Sequence, residues 1–326
     1  MRITYYLRDP REGNYSIEKI FKALGNRLKD KFEVSFFYID SDKSVFKNLR
    51  SARKAQGDIN HITGDVNWLI FGLDRRKTIL TVHDLGHFEN TLVGLKRWIY
   101  KYLWLYIPFK RAKFITAISS FTKSRINYHF GFSRKVIIIH NPLVSIAAGK
   151  YKRPFNTRKP NVLQIGSMPN KNLDQLIDAV EGLDINLLLV RKPNEEIKQL
   201  LKRKEISYEW YSELSEDQLA AIYLKTDILF FGSTYEGFGL PIIEAQSFGI
   251  PVITSNLCSM PEVAGLNSLL INPYDKYDIR EALEKIRTDK DFRETLSVQG
   301  KKNVDRFRID IISKKYQELY QKVYES

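Results

Sequence analysis

The stretch of this chain with the most chemistry in it is Ser233-Thr234-Tyr235-Glu236-Gly237-Phe238-Gly239-Leu240-Pro241-Ile242-Ile243-Glu244-Ala245. Gly237 and Gly239 let backbone N–H groups approach a ligand closely and permit turns that a β-carbon would hinder. Pro241 suits a first helical position, where its missing N–H would have no partner anyway. The N–H groups of such a first turn, together with the helix dipole, form a site for an anion such as a diphosphate. A carboxylate gains nothing beside a phosphate, so Glu236 and Glu244 fit neutral parts of the same ligand. An ionised carboxylate accepts two hydrogen bonds, and sugar hydroxyl pairs are natural donors. One acid for a ribose and one for a second sugar is an economical division. Taken singly, Glu244 reads as a complement to a helix N-terminus and Glu236 as a solvated loop residue. The ordered string argues against that reading.

Two further groups carry the same kind of chemistry. Gly166-Ser167-Met168-Pro169-Asn170-Lys171-Asn172 leaves an apolar run and enters a helical one. A lysine placed there can neutralise charge gathering on a departing diphosphate. Thr81-Val82-His83-Asp84-Leu85 also closes an apolar run. His83 there can donate to a sugar hydroxyl or stabilise developing charge. His87 lies four residues on, but two His and one Asp lack the spacing of a known zinc motif, so no metal site is expected.

These groups need strand ends and helix starts to position them, and the chain supplies both. Short β-rich runs alternate with segments of helical period, the pattern of parallel α/β sheets. Strands are predicted at 3–7, 34–39, 78–83, 114–117 and 136–140, then at 161–166, 185–190, 207–210, 228–231 and 251–254. Ile17, Ile20, Phe21, Leu24 and Leu28 trace one helical face, and Ser119 or Ser120 suits the N-cap of a helix reaching about residue 130. Further helices are predicted at 173–180, 217–224, 279–286 and 309–324. The segment Pro142–Pro160 carries Pro142, Gly149, Pro154 and Pro160 with little periodicity, and 143–160 reads as a linker. The expectation is an N-terminal domain over 1–142, a second over 161–308, and a tail helix 309–326 able to pack back on the first. In open α/β sheets ligands bind beyond the carboxyl ends of the strands, which is where all three groups fall.

With 43% hydrophobic and 28% charged residues, the composition is that of a globular protein. No apolar run approaches the ~20 residues of a membrane span. The start of the chain lacks the pattern of a secretory leader, and Cys258, the single cysteine, leaves no disulfide within the chain. A cytoplasmic location is the expectation. The formal net charge of +14 is one-sided. Residues 1–142 hold 26 Lys and Arg against 12 Asp and Glu, while 143–326 hold 26 of each. A basic half fits an anionic partner such as acidic lipid, a phosphorylated acceptor or nucleic acid, or simple solubility. Within that half, Leu95–Tyr106 mixes Lys96, Arg97 and Lys101 with Trp98, Tyr100, Tyr102 and Trp104, and Lys110-Arg111 come shortly after. Such a helix suits an anionic membrane surface and equally suits packing on its own domain.

The string from Ser233 to Ala245 resembles the E-x7-E signature of family 4 retaining glycosyltransferases. The likeness continues through Ser247-Phe248-Gly249-Ile250-Pro251-Val252-Ile253-Thr254-Ser255 and Met260-Pro261-Glu262-Val263-Ala264-Gly265. It is dense over 161–286 and patchier before. The resemblance implies a GT-B architecture of two Rossmann-like domains facing across a cleft, the second holding a nucleotide sugar and the first an acceptor. It implies that Glu244 binds the ribose and that Glu236 sits at the donor sugar, with Gly237, Phe238, Gly239 and Leu240 offering amides to sugar and phosphate. In that family an Arg usually comes directly after the glycine matched by Gly166, with a Lys a few residues on. Lys171 matches the Lys, but Ser167 stands in the Arg position, and Arg191 or Lys192 at the next strand end is able to supply that charge. The family's His-Asp pair matches His83-Asp84, and its glycine-rich acceptor loop matches Gly13 and Asn14, though with one glycine only.

The expected activity is retaining transfer of a sugar from a nucleoside-diphosphate sugar to a hydroxyl of a glycan or lipid-linked acceptor, in cell-surface polysaccharide synthesis. No bound metal or cofactor is expected. His83, Glu236 and Lys171 are the expected catalytic groups, around an oxocarbenium-like transition state. An epimerase or hydrolase of sugar nucleotides on the same fold is the alternative. A nucleic-acid-binding role is more distant, since recognition-helix and RNA-binding motifs are absent.

Overall fold

The computed structural model describes residues 1–9, 11, 15–144, 154–266 and 268–326. The chain divides into two compact units, the first Met1–Val144 with Phe307–Ser326, the second Ser145–Arg306. Each is built on a six-stranded parallel sheet, so the two-domain α/β reading of the sequence agrees with the fold.

In the first unit β1 (Arg2–Leu7), β2 (Glu33–Tyr38), β3 (Ile59–Ile62), β4 (Thr78–Val82), β5 (Phe114–Ala117) and β6 (Val136–Ile138) lie in the order β2-β1-β3-β4-β5-β6. Parallel strands are covered by helices on both faces, and β3 and β4 are accordingly buried throughout. Neither β3 nor the helix Val45–Lys54 before it was legible in the sequence. Asn60 and His61 interrupt the apolar run of β3, and both are buried because partners are supplied: the Tyr6 hydroxyl donates to Asn60 Oδ1 at 3.1 Å. The helix Ser120–Phe130 begins on Ser119, whose Oγ accepts from the Thr122 N–H at 3.1 Å.

The tail folds as the helix Ile309–Tyr324 and packs within the first unit, burying Ile312, Tyr316, Leu319, Tyr320 and Val323 along one stripe. A chain of polar groups ties it down. Tyr320 Oη donates to Tyr5 Oη at 2.9 Å and lies 2.7 Å from His61 Nδ1, while His61 Nε2 is 2.7 Å from Thr81 Oγ1 and Thr81 Oγ1 is 2.6 Å from Thr116 Oγ1. One tautomer satisfies every contact: His61 donates from Nδ1 to Tyr320 and accepts at Nε2 from Thr81. Burial pushes the His61 imidazole down to about 3, so the ring is neutral. The crossing into this tail is made at Leu143, whose N–H donates to Phe307 O at 2.8 Å.

In the second unit β7 (Asn161–Ile165), β8 (Asn186–Val190), β9 (Ser207–Tyr211), β10 (Ile228–Phe231), β11 (Val252–Ser255) and β12 (Leu269–Ile271) lie in the order β12-β11-β10-β7-β8-β9. Read from β9, this is the doubly wound order in which the sheet reverses direction at its first strand. The reversal falls between β7 and β10. In the first sheet, the corresponding reversal falls between β1 and β3.

The expected linker 143–160 needs redrawing. Residues 145–153 lie outside the described residues, but residues 154–160 belong to the second unit. Asp227 accepts from the Asn156 and Asn161 N–H groups at 3.1 and 2.8 Å. Phe155 packs on that unit's core beneath the Arg293 guanidinium, 4.1 Å from the ring centroid. Phe307 and Arg308, at the other end, lie with the first unit rather than the second.

Candidate active site

The two loops that leave β7 and β10 meet at the reversal of the second sheet. They are stitched by backbone and amide bonds: the Thr234 N–H donates to Asn170 O at 2.8 Å, and Asn170 Nδ2 donates to Tyr235 O at 3.1 Å. This brings together Lys171 and Glu236, which are 65 positions apart and form an ion pair with both side chains about four-fifths shielded from solvent. The Lys171 ammonium also stands 5.0 Å from the Phe231 ring centroid. Gly166, at φ +96°, is required for this placement. A β-carbon there would come within 2.9 Å of the Lys171 stem, in a backbone conformation that side chains disfavour. Gln164 holds the same loop from below, donating from Nε2 to Lys171 O at 2.8 Å.

The glycine turn comes directly after Glu236. Gly239 sits in the left-handed region at φ +110°, and the helix Leu240–Ser247 starts at the next residue with Pro241 in its first turn. The first-turn N–H groups of a helix have no carbonyl of their own helix to meet. Gly237, Phe238 and Gly239 are buried while Glu236 and Leu240 reach the surface. Ser259, in the loop after β11, clamps the turn by donating to Glu236 O at 2.9 Å and Phe238 O at 2.8 Å. Glu244 lies one turn into the helix and accepts from the Tyr223 hydroxyl at 2.7 Å. Burial and the Glu244 charge hold that phenol well above its ordinary value, so it stays a donor. Tyr223 is itself fixed by stacking on Phe248 at 5.2 Å. Ser233 Oγ and Gln164 Oε1, both buried at this edge, have no hydrogen-bond partner among the described residues.

Arg191 and Lys192 come after β8, the strand next to β7, and Val190 O accepts from the Gly166 N–H at 2.9 Å. Both side chains are exposed. Arg191 holds φ +94°, a conformation costing a non-glycine residue on the order of 1–3 kcal/mol. Lys192 lies 5.8 Å from the Trp210 ring centroid. Ser167 sits between Gly166 and the Lys171 turn, partly buried.

His83 belongs to the first unit, at the carboxyl end of β4. Its Nε2 lies 2.7 Å from Thr63 O, which fixes the proton on Nε2. Burial lowers its pKa, so the ring is neutral and its one donor is committed to a backbone carbonyl. The expected donation to a sugar hydroxyl is thus blocked in this arrangement, and Nδ1 can only accept. His87, the nearest other imidazole in sequence, packs edge-on to Tyr100 at 5.3 Å. No cluster of three or more metal-ligating side chains occurs among the described residues. Gly13 and Asn14 lie outside them.

Asn170, Tyr223 and Ser259 escaped the sequence reading. Ser259 adjoins Met260-Pro261 in the matching stretch, a position that hints at its importance. Nothing in the sequence connects Tyr223 to Glu244, because their meeting depends on how two helices lie on one sheet.

Both units resemble known proteins. The family model described as "Glycosyl transferases group 1" matches residues 148–303, and that described as "Glycosyltransferase Family 4" matches 25–144. The serotype-specific mannosyltransferase WbdA of Escherichia coli is 32% identical over 147 residues, covering 40% of this chain but only 18% of its own length. The O-antigen chain mannosyltransferase B of Escherichia coli is 27% identical over 250 residues, 69% of this chain and 65% of that protein. The chain therefore spans less than two thirds of the length of these relatives. Alr3699/HepE of Anabaena, solved in complex with UDP and glucose, shares the fold over 99% of this chain and 100% of its own, with a TM-score of 0.80 and 17% identity. With the two family models running between them through both sheets, and the first of them spanning the glycine turn and the Lys171–Glu236 pair, the chain belongs to the family 4, group 1 glycosyltransferases.

Proposed function

We propose that the chain transfers a hexose from a nucleoside-diphosphate sugar to a hydroxyl of a glycan or lipid-linked acceptor, with retention of anomeric configuration, in cell-surface polysaccharide synthesis. The observation that carries this reading is the Lys171–Glu236 pair held beside the glycine turn and helix start at the sheet reversal. A diphosphate at the first-turn amides lies next to an ammonium that can take up the charge of the leaving group. Glu236 then serves the departing sugar's hydroxyls, and Glu244, oriented by Tyr223, serves the ribose. Arg191, held in a strained conformation one residue past the Gly166–Val190 bond, supplies the cation that Ser167 does not. Strain of this kind is retained where a side chain must be aimed. His83 contributes as an acceptor through Nδ1.

The reading needs no metal, and the proton of the acceptor hydroxyl passes to a donor phosphate oxygen. The mannosyltransferases among the relatives make mannose the first donor sugar to try, and the UDP complexes of Alr3699/HepE make UDP the first nucleotide. The basic half and the helical run from Gly94 support a cytoplasmic protein that docks on an anionic membrane carrying the acceptor. Val93, Leu95 and Trp98 are 79%, 74% and 61% exposed on that run, interleaved with Lys96, Arg97 and Lys101. No helix of the described residues is long and apolar enough to cross a membrane.

A thermal-shift panel of UDP- and GDP-sugars tests the donor site, because a ligand of the native state raises the midpoint. Product analysis with and without acceptor then separates transfer from epimerisation or hydrolysis. A protein that shifts with no nucleotide sugar, or whose product is the same with and without acceptor, does not perform this reaction.

A further inference from the structure

Much of the positive excess of residues 1–142 is concentrated at one end of the first sheet. Parallel strands all start at the same end. The segments leading into three adjacent strands are Arg75-Arg76-Lys77 before β4, Lys110-Arg111-Ala112-Lys113 before β5 and Arg134-Lys135 before β6. Eight of these nine residues are cations. Neighbouring strands lie about 4.8 Å apart, so the eight share one narrow rim. That rim is at the far end of the strands from His83, roughly 16 Å away along the five residues of β4.

None of the eight makes an ion pair among the described residues. The acid beside them is Asp74, whose carboxylate accepts from the Arg76 N–H at 2.9 Å. Lys135 Nζ donates to Phe109 O at 3.0 Å and to Lys110 O at 2.9 Å, while burial and the Lys113 charge push its pKa down. The Arg111 guanidinium lies 5.9 Å from the Phe71 ring centroid, and its buried Nε has no hydrogen-bond partner among the described residues. Like charges crowded in this way oppose folding.

Helix dipoles do not account for the imbalance. Helices finish at this end of such a sheet, and Lys or Arg near a helix C-terminus is favourable. The second unit has the same architecture, yet there the cations that lead into strands are paired. Lys159 before β7 meets Asp184 at 3.8 Å, Lys204 before β9 meets Asp178 at 3.1 Å, and Lys225 before β10 meets Glu209 at 3.1 Å. The unpaired rim is thus a property of the first unit's sequence and not of the fold.

We propose that this rim is a docking face for an acidic protein segment, a run of Asp and Glu lying across the starts of β4, β5 and β6. Side chains on one face of an extended segment repeat at about 6.8 Å and strand starts at about 4.8 Å, so such a run brings carboxylates to all three lead-in segments. Arginine forks suit carboxylates bidentately. Nucleic acid fits less well, because the nine residues include no aromatic ring for bases to stack on. A membrane also fits less well, because they include no large apolar side chain to insert, whereas the exposed Val93, Leu95 and Trp98 belong to the run that follows the loop at the carboxyl end of β4. A segment docked on the rim leaves that carboxyl end free, so the partner tethers the chain without covering its substrates.

Fluorescence anisotropy of a labelled oligoglutamate peptide, titrated with the full chain, tests the proposal. The wild type binds at low salt, and binding weakens as ionic strength rises. Arg75→Gln with Arg76→Gln and Lys113→Gln binds roughly tenfold or more weakly, the loss expected for three exposed ion pairs. Arg158→Gln with Lys202→Gln and Arg203→Gln removes the same charge at the same end of the second unit and stays within about twofold of the wild type. Equal losses in the two triple variants overturn the proposal, because attraction then follows net charge alone, and so does a wild type that does not bind the peptide. Tighter binding of an oligothymidylate, or of vesicles containing phosphatidylglycerol, that is lost in the rim variant overturns it too and gives the rim to nucleic acid or to lipid. The replaced side chains lack ion partners, so the melting midpoint of the rim variant should hold or rise. Where it falls, Lys110→Gln with Arg134→Gln makes the same comparison against Lys202→Gln with Arg203→Gln.

Discussion

At the scale of single residues, the Lys171–Glu236 pair sets the strongest expectation. Each partner is mostly shielded and each is assigned to one half of the bond that breaks. Lys171→Ala and Glu236→Ala should each lower kcat by roughly 10²- to 10³-fold, the range for removing one preorganised electrostatic group. Pairs of this exposure contribute on the order of 1 kcal/mol to folding, so the melting midpoint should move by only a few degrees. Turnover at the wild-type rate in either variant would remove that residue's role. Tyr223→Phe isolates the second acid. It deletes the 2.7 Å bond that orients Glu244 while keeping the ring stacked on Phe248. The expected outcome is a donor KM raised about tenfold, from loss of roughly 1–3 kcal/mol, with kcat little changed. A purely structural tyrosine would lower the midpoint and leave KM alone.

At the scale of elements, the tail helix Ile309–Tyr324 is fastened to the sheet through a neutral buried imidazole. The His61 pKa is lowered from 6.5 to about 3 by burial. The unfolded chain therefore binds a proton below about pH 6.5 that the native state refuses until about pH 3. Stability contributed by neutral His61 is complete above the ordinary histidine pKa and falls as the pH drops through that window, with a slope approaching about 1.4 kcal/mol per pH unit. Denaturant titrations from neutral pH down through the acid range should show this loss, and His61→Gln, though less stable at neutral pH, should show a flatter profile. Equal slopes in the two proteins would place the acid sensitivity elsewhere. Tyr320→Phe leaves both His61 and Tyr5 short of a partner and should cost about 1–3 kcal/mol at neutral pH.

At the scale of the whole molecule, charge and exposed apolar surface gather in the same unit. The helical run from Gly94 widens into a π-turn across Lys101–Tyr106 before closing at Arg111. Its inward face buries Leu105, Pro108 and Phe109, while Leu95, Trp98, Ile99 and Leu103 face solvent. The helix thus packs on its domain along one face, as one reading of its sequence expected, and leaves exposed apolar side chains interleaved with basic ones on the other. Co-sedimentation with vesicles containing anionic lipid should be strong at low salt and weaken steeply as ionic strength rises, and Trp98→Ala with Leu95→Ala should reduce it several-fold. Salt-independent recovery, or none, would count against a membrane partner.

The glycine turn after β10 was legible in the chain because strand, glycine loop and helix start are contiguous there, and local backbone rules act over such distances. The alternation of apolar and helical runs likewise determined two parallel α/β units, since buried parallel strands announce themselves as short apolar stretches. β3 was not legible, because Asn60 and His61 look polar until partners far along the chain absorb their hydrogen bonds, and the tail's apolar stripe suggested that it packs back on the first unit without showing the His61–Tyr320 bond that fastens it. Strand order was decided only in three dimensions, and with it everything at the sheet reversals: Lys171 against Glu236, Tyr223 against Glu244. Spacing along a sequence specifies which elements form. Which loops become neighbours is decided by how those elements pair and pack, a choice made by long-range burial that no local pattern records.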